Sequence, residues 1–467
     1  MPARASRAAP TSRTEFARST RDRKGCPSLG DRAALSDQSM KARNKMNQRF
    51  ATSFCITCAT LSGFMMRAEV RQSAPAPSPA EVSIRKAQEL IAKQPAHYPF
   101  YNRLAMAYAR RARETSDVTY YAKAEETLQK SFAISDDNFE GLKVKTWLLL
   151  GRHEFARALE LATQLNKQTP DDVTVYGYLV DANVELGNYK EAVAAAQWML
   201  NLRPGNVAGL TRAGYLRELH GDLRGAIELM QMAYDATPYQ EAEDRAWLLT
   251  QIAHLHLLAG DLQKSETYSH GALGLFPDYH YALGTLARVR LAQKRYADAI
   301  SLLQRRYDAA PHAENLYALA EALERAGRRS EAVSAFAEFE RKALGESDLA
   351  DNANHELIAY YNDFAKDPVK ALRIAQQELA RRHDVFTQDS YAWSLAASGD
   401  WESAGFEIRK ALALGEKDPG ILYHAGVIAL HMDRKSERKN YLKPSRNSLP
   451  VDRLLRDPAQ SVQTVSQ

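Results

Sequence analysis

Residues Val173–Pro238 read VTVYGYLVDANVELGNYKEAVAAAQWMLNLRPGNVAGLTRAGYLRELHGDLRGAIELMQMAYDATP, one pattern written twice at a spacing of 34. The first copy sets Tyr176, Leu179, Asn183, Gly187-Asn188-Tyr189, Ala192, Ala196, Met199 and Pro204. The second sets Leu210, Ala213-Gly214, Gly221-Asp222-Leu223, Ala226, Met230, Ala233 and Pro238. Apolar residues three and four apart mark the buried face of a helix, and a glycine followed by a polar residue marks its end. Each copy is therefore two short helices joined at the glycine, with proline terminating the second. An internal period of this length is the signature of stacked repeats.

The pattern continues on both sides. Pro170, Pro204 and Pro238 are 34 apart; Pro277 follows after 39 and Pro311 after 34. An alanine column runs Ala192, Ala226, Ser265, Ala299, Ala332, Ala371 and Ala404. A turn column runs beside it at Gly187, Gly221, Gly260, Lys294, Gly327 and Gly399. Ten units fit between Tyr98 and Pro450. Extra residues fall around Arg111–Thr119, about seven by the period arithmetic, and at Glu241–Arg245. Small residues such as Gly214, Ala253, Ala287 and Ala320 let helix backbones approach so that ridges enter grooves. The glycines suit a left-handed residue closing the first helix. No hairpin can bury both faces alone, so each needs its neighbour.

These columns resemble the tetratricopeptide repeat, over roughly residues 98–450. The resemblance implies an all-α fold, a right-handed superhelical solenoid of antiparallel helix hairpins, whose concave wall is lined by the first helices. It also implies a protein or peptide partner in that groove. The free faces of the first helices then carry the candidate partner-binding residues: Tyr178, Asp181, Arg212, Tyr215, Trp247, Gln251, His254, Tyr281, Arg288 and Tyr317. Aromatics and arginine are what binding hot spots favour. The competing reading is that the aromatics fill packing between repeats. Some members grip a C-terminal carboxylate with Lys and Asn from successive first helices. The matching positions here (Asn102, Lys143, Asp181, Thr211, His254 among them) supply no such pair on one helix.

Charge divides the chain. The net charge is +5, yet residues 1–49 carry twelve Lys/Arg against four Asp/Glu, leaving the rest negative. A polyanion-binding array would need a basic stripe, so no nucleic acid is expected. Residues 1–49 read as a disordered basic extension, with Met40 or Met46 as candidate starts. The apolar run 50–66 behind Lys41–Arg49 resembles a secretory signal and implies a bacterial-type exported chain, periplasmic or secreted. Left uncleaved, it would be the one membrane contact. The alternative is a cytoplasmic chain. Residues 67–80 read as a Pro/Ala linker, 81–443 as the repeat array, and 444–467 as a loose tail because Pro444 should break the last helix.

Chemistry is sparse. Cys26, Cys55 and Cys58 lie upstream of the array, and Cys55-x-x-Cys58 has no second ligand pair. His254 and His256, two apart in a helix, point to different sides, so they make no zinc site. No phosphate loop, His-Glu-x-x-His or Gly-x-Ser-x-Gly occurs. No cofactor and no catalysis are expected. The expected function is a scaffold or adaptor, plausible in an envelope assembly, with a cytosolic adaptor or an enzyme subunit as alternatives.

Overall fold

The computed structural model describes residues 77–115, 117–349 and 352–448, with side chains as far as 442. The expectations for 1–49, for 50–66 and for most of the tail lie outside the described residues. Those described belong to one compact unit, Pro75–Gln467.

A single helix, α1 (Pro79–Lys93), leads into ten hairpins. The first five pair α2 (Tyr98–Thr115) with α3 (Thr119–Ile134), α4 (Phe139–Gly151) with α5 (Phe155–Gln168), and α6 (Val173–Glu185) with α7 (Tyr189–Leu202). They continue with α8 (Val207–Leu219) and α9 (Leu223–Ala236), then α10 (Ala242–Leu258) and α11 (Leu262–Leu275). Next come α12 (His280–Ala292) with α13 (Tyr296–Ala309), and α14 (Ala313–Arg325) with α15 (Arg329–Glu346). In the eighth hairpin α16 (Asn354–Ala359) runs into a π-helical turn, Tyr360–Phe364, before α17 (Pro368–Leu379). Last are α18 (Val385–Ala397) with α19 (Trp401–Ala411), and α20 (Pro419–His431) with α21 (Lys435–Ser448).

The repeated residues do what their chemistry suggests. Ala192, Ala226, Ser265, Ala299, Ala332, Ala371 and Ala404 are all 0% exposed, at the contact between the helices of a hairpin and the next hairpin. The turn glycines Gly187, Gly221, Gly260, Gly327 and Gly399 have φ between 73 and 87°. Lys294 and Lys366 hold the same left-handed turn at φ 58 and 55°, where a side chain is strained. The aspartate after several of these turns caps the second helix: Asp222, Asp261 and Asp400 accept backbone N–H bonds from Gly225, Lys264 and Ser403.

Two boundaries differ from expectation. The array starts inside the expected linker, because Ser78 caps α1 in a reciprocal capping box with Glu81 and Pro79 occupies the first turn. At the other end α21 runs through Pro444 rather than breaking there. Leu442, 6% exposed, packs with Tyr423 and Val427 of α20 and anchors the helix just ahead of the proline. A proline removes one backbone donor, and that anchor outweighs the loss.

The extra residues lengthen first helices. α2 has 18 residues and α10 has 17, whereas α4, α6, α8, α12, α14, α18 and α20 each have 13. Each addition exceeds one helical turn. The array also winds tightly enough that hairpins four to six apart touch. The His383 N–H donates to the Glu185 carbonyl at 2.9 Å, joining the turn after α6 to the loop before α18. Gly221 lies against the Gly415 carbonyl, where a Cβ would stand only 2.3 Å away. One apolar cluster spans the contact, joining Val180, Val184, Leu216 and Leu219 to Val385, Leu395 and Ile421.

Candidate functional site

Because successive turns of the superhelix touch, the inner wall borders partly open cavities rather than one continuous groove. Two of the cavities along it hold the candidate residues. The larger, about 690 Å³, is lined by Asp181, Arg212, Tyr215, Trp247 and Gln251, together with Arg113, Glu241 and Asp244. The second, about 580 Å³, is lined by Gln251, His254, Tyr281 and Arg288, with Glu321, Arg325 and Asp418. Gln251 borders both. Eight of the ten candidate residues are therefore brought together on one continuous inner surface.

The other two are packing residues. Tyr178, 4% exposed, sits among Leu149, Leu150, Phe155 and Ala182. Tyr317, 8% exposed, has its ring 5.1 Å from Phe339 and 5.9 Å from Phe336. In both, the ring fills the seam between neighbouring hairpins, and the burial of a large aromatic outweighs any role at the surface. The competing reading given in the sequence analysis holds for these two.

Much of the polar wall is engaged with itself. Side chains roughly one repeat apart bridge successive first helices. Arg212 Nε donates to Asp181 at 2.8 Å. His254 Nε2 lies 3.0 Å from Glu218, and Arg288 lies 3.3 Å from His254 Nδ1. With Nε2 protonated toward Glu218, Nδ1 is left as an acceptor for the guanidinium. Further along, Trp393 Nε1 donates to Asp363 at 3.1 Å and His424 Nδ1 lies 2.9 Å from Asp389. His256 points the other way and stacks on Tyr268 at 5.4 Å.

Against this background four candidates stand out. Among the described residues, the side chains of Tyr215, Trp247, Gln251 and Tyr281 make no hydrogen bond, although all face the cavities. Burial raises the Tyr215 hydroxyl well above its ordinary pKa, and does the same to Tyr281, so both remain neutral donors. They are amphipathic groups with unengaged donors and acceptors around two adjoining cavities. Such groups can hold the backbone and apolar side chains of a polypeptide segment.

Sequence reasoning missed the residues that close the cavities. Glu185 and Arg382 face the contact between turns, their charges 3.8 Å apart. Burial, and then the charge of Asp384, push the Glu185 carboxyl upward. Asp418 reaches the second cavity from the last hairpin while capping α20 through Gly420 and Ile421. Nothing in a repeat period indicates which distant hairpins meet.

The Tetratricopeptide repeat family model matches residues 147–207, 179–241, 250–314 and 285–347. No curated protein matches the chain in sequence. Among solved structures it is similar to the Cut9-Hcn1 hetero-tetramer of the APC/C, at 12% identity and a TM-score of 0.45, over 77% of this chain. The match covers 59% of that structure's chain, so this chain spans less than two thirds of its length. It is similar at 14% identity to PilW, described as a widely conserved type IV pilus biogenesis factor, with a TM-score of 0.38 over 44% of this chain and 92% of that one. A third similarity, also at 14% identity and with a TM-score of 0.45, is to the human IFIT1 dimer with PPP-AAAA, over 80% of this chain and 86% of that one. The repeat match spans the second to seventh hairpins, so the chain carries multiple tetratricopeptide repeats over residues 147–347, within an all-α solenoid of helix hairpins.

Proposed function

We propose that this protein is a non-catalytic scaffold that holds a polypeptide segment of its partner along the inner wall of the superhelix. The observation that carries this reading is the convergence of Tyr215, Trp247, Gln251 and Tyr281, with unengaged polar atoms, on two adjoining cavities. A volume of this size admits a slender segment, extended or singly helical, and excludes a folded domain. Neighbouring ion pairs such as Asp181–Arg212 hold the wall in place and leave recognition to the amphipathic groups. Residues 50–66 would carry the chain to the cell envelope. A mature terminus between residues 64 and 75 on N-terminal sequencing supports that placement, and a retained leader refutes it.

The binding test is affinity capture by the full chain, followed by anisotropy titration with a labelled peptide from the captured partner. Trp247→Ala with Tyr281→Ala is expected to weaken binding at least tenfold with helix content unchanged. Undiminished affinity would place the partner elsewhere on the array.

A further inference from the structure

The two places where the 34-residue period is broken by additions to a first helix meet in space. The added turn of α2 carries Arg113, with Arg110 one turn before it at the end of the ordinary helix length, and the residues added at the start of α10 include Glu241, Glu243 and Asp244. Arg110 reaches Glu241 at 3.1 Å and Asp244 at 3.3 Å, while Arg113 reaches Asp244 at 3.0 Å and pairs with Glu243. Glu243 is 0% exposed and also accepts the Tyr279 hydroxyl at 2.8 Å. His280, at the start of α12, lies 3.1 Å from the Arg113 carbonyl. So α2 is tied to hairpins four and five repeats away, through a buried Glu243 and charged groups around it that remain partly exposed.

Repeat stacking does not require this arrangement, since each hairpin is already covered by its neighbours. Without the added turns, Arg113 and the three carboxylates would be missing, and Arg110 would have no partner among them. Arg113, Glu241 and Asp244 also line the larger inner cavity beside Trp247 and Gln251. The contact is thus a wall of the space it closes.

We propose that the two insertions form a clasp that holds the superhelix shut across the larger cavity, and that a partner segment enters when the clasp parts. The contact is polar and confined to the ends of α2, α10 and α12, unlike the apolar seams between adjacent hairpins. Polar contacts of this kind can open without unfolding either helix, because water solvates both halves once they separate. Closure then favours retention of a bound segment, and the opening equilibrium sets its rate of entry.

The test reads access without any partner, so its outcome is separate from that of the binding reading. Gln251→Cys is introduced into the full chain, alone and together with Arg110→Gln and Arg113→Gln. Modification of the new cysteine by a maleimide is followed by peptide mass spectrometry. Weakening the clasp is expected to speed modification at least tenfold while circular dichroism reports unchanged helix content. Equal rates with the fold intact would overturn the proposal. If the double arginine variant loses helix, Glu243→Gln takes its place: it keeps the shape and removes the buried charge. Faster modification there supports the clasp, and an unchanged rate overturns it.

Discussion

Gly221 and Gly327 occupy the same turn in different hairpins, and replacing each by alanine isolates the contact between superhelical turns. Their φ values are 73 and 78°, so alanine meets the same left-handed penalty at both, roughly 1–2 kcal/mol. Both variants recover roughly 0.4–1 kcal/mol from the stiffer unfolded chain. Their surroundings differ. A Cβ on Gly221 would stand 2.3 Å from the Gly415 carbonyl, whereas nothing lies within 4 Å of one on Gly327. Overpacking of this kind adds roughly 1–3 kcal/mol, and here the obstacle is backbone that cannot rotate away. Gly327→Ala is therefore expected to cost about 1 kcal/mol and Gly221→Ala about 2–4 kcal/mol. Long repeat arrays need not unfold in one step, so native-state hydrogen exchange of each hairpin is a better assay than one melting curve. Peptides covering residues 412–418 should lose protection in Gly221→Ala only. Losses equal within about 0.5 kcal/mol, with 412–418 unaffected, would refute the closed winding.

Other substitutions test other parts of the reasoning. Ser265 is the one hydroxyl in the alanine column, buried with no hydrogen-bond partner for its Oγ among the described residues. Ser265→Ala should therefore stabilise the fifth hairpin by about 1 kcal/mol in hydrogen exchange. Glu416, buried beside Asp418 and Glu218, has its carboxyl pushed up to about 7, chiefly by burial. A carboxyl raised in the folded state favours folding below its unfolded value, and that contribution is lost as pH rises through 7. Between pH 4.5 and 8 the wild type should lose about 2–3 kcal/mol relative to Glu416→Gln in paired thermal melts, and a constant difference would contradict the burial argument. Trp247→Ala with Tyr281→Ala should weaken partner binding at least tenfold, and loss of Arg110 and Arg113 should expose a cysteine at 251, as set out above.

The local grammar of this fold was legible in the sequence. Glycine at 187, 221, 260, 327 and 399 specified the left-handed turns, and the alanine column specified the tightest helix contacts, because both are properties of one hairpin and its neighbour. The inner wall was legible for the same reason, since side-chain direction along a helix follows from spacing. Tyr178 and Tyr317 were misplaced because a tyrosine near the edge of that face can turn into the seam, and spacing alone does not fix its rotamer. The start at Ser78 was hidden by composition: Pro and Ala suggest a linker, yet Ser-Pro-x-Glu is a helix-start signal. Closure was not legible. The Glu185–His383 bond joins residues almost two hundred positions apart, and no period carries that information.

Closure changes what the repeats can be asked to do. In an open solenoid every first helix offers its free face, and capacity grows with the number of repeats. Here contacts between turns divide that surface into cavities, and cross-wall pairs such as Arg212–Asp181 and Glu218–His254–Arg288 engage part of it. The unengaged polar side chains of the wall are thereby concentrated around Trp247 and Gln251, on the lengthened α10. The same added turn that carries Glu243 and Asp244 into the clasp also sets the register of this helix. Shortening α10 to the 13 residues of the ordinary first helices would remove the clasp carboxylates along with the stretched spacing. The two insertions into first helices are therefore better read as one structural device than as tolerated irregularities: they determine where the superhelix shuts and which residues it shuts upon.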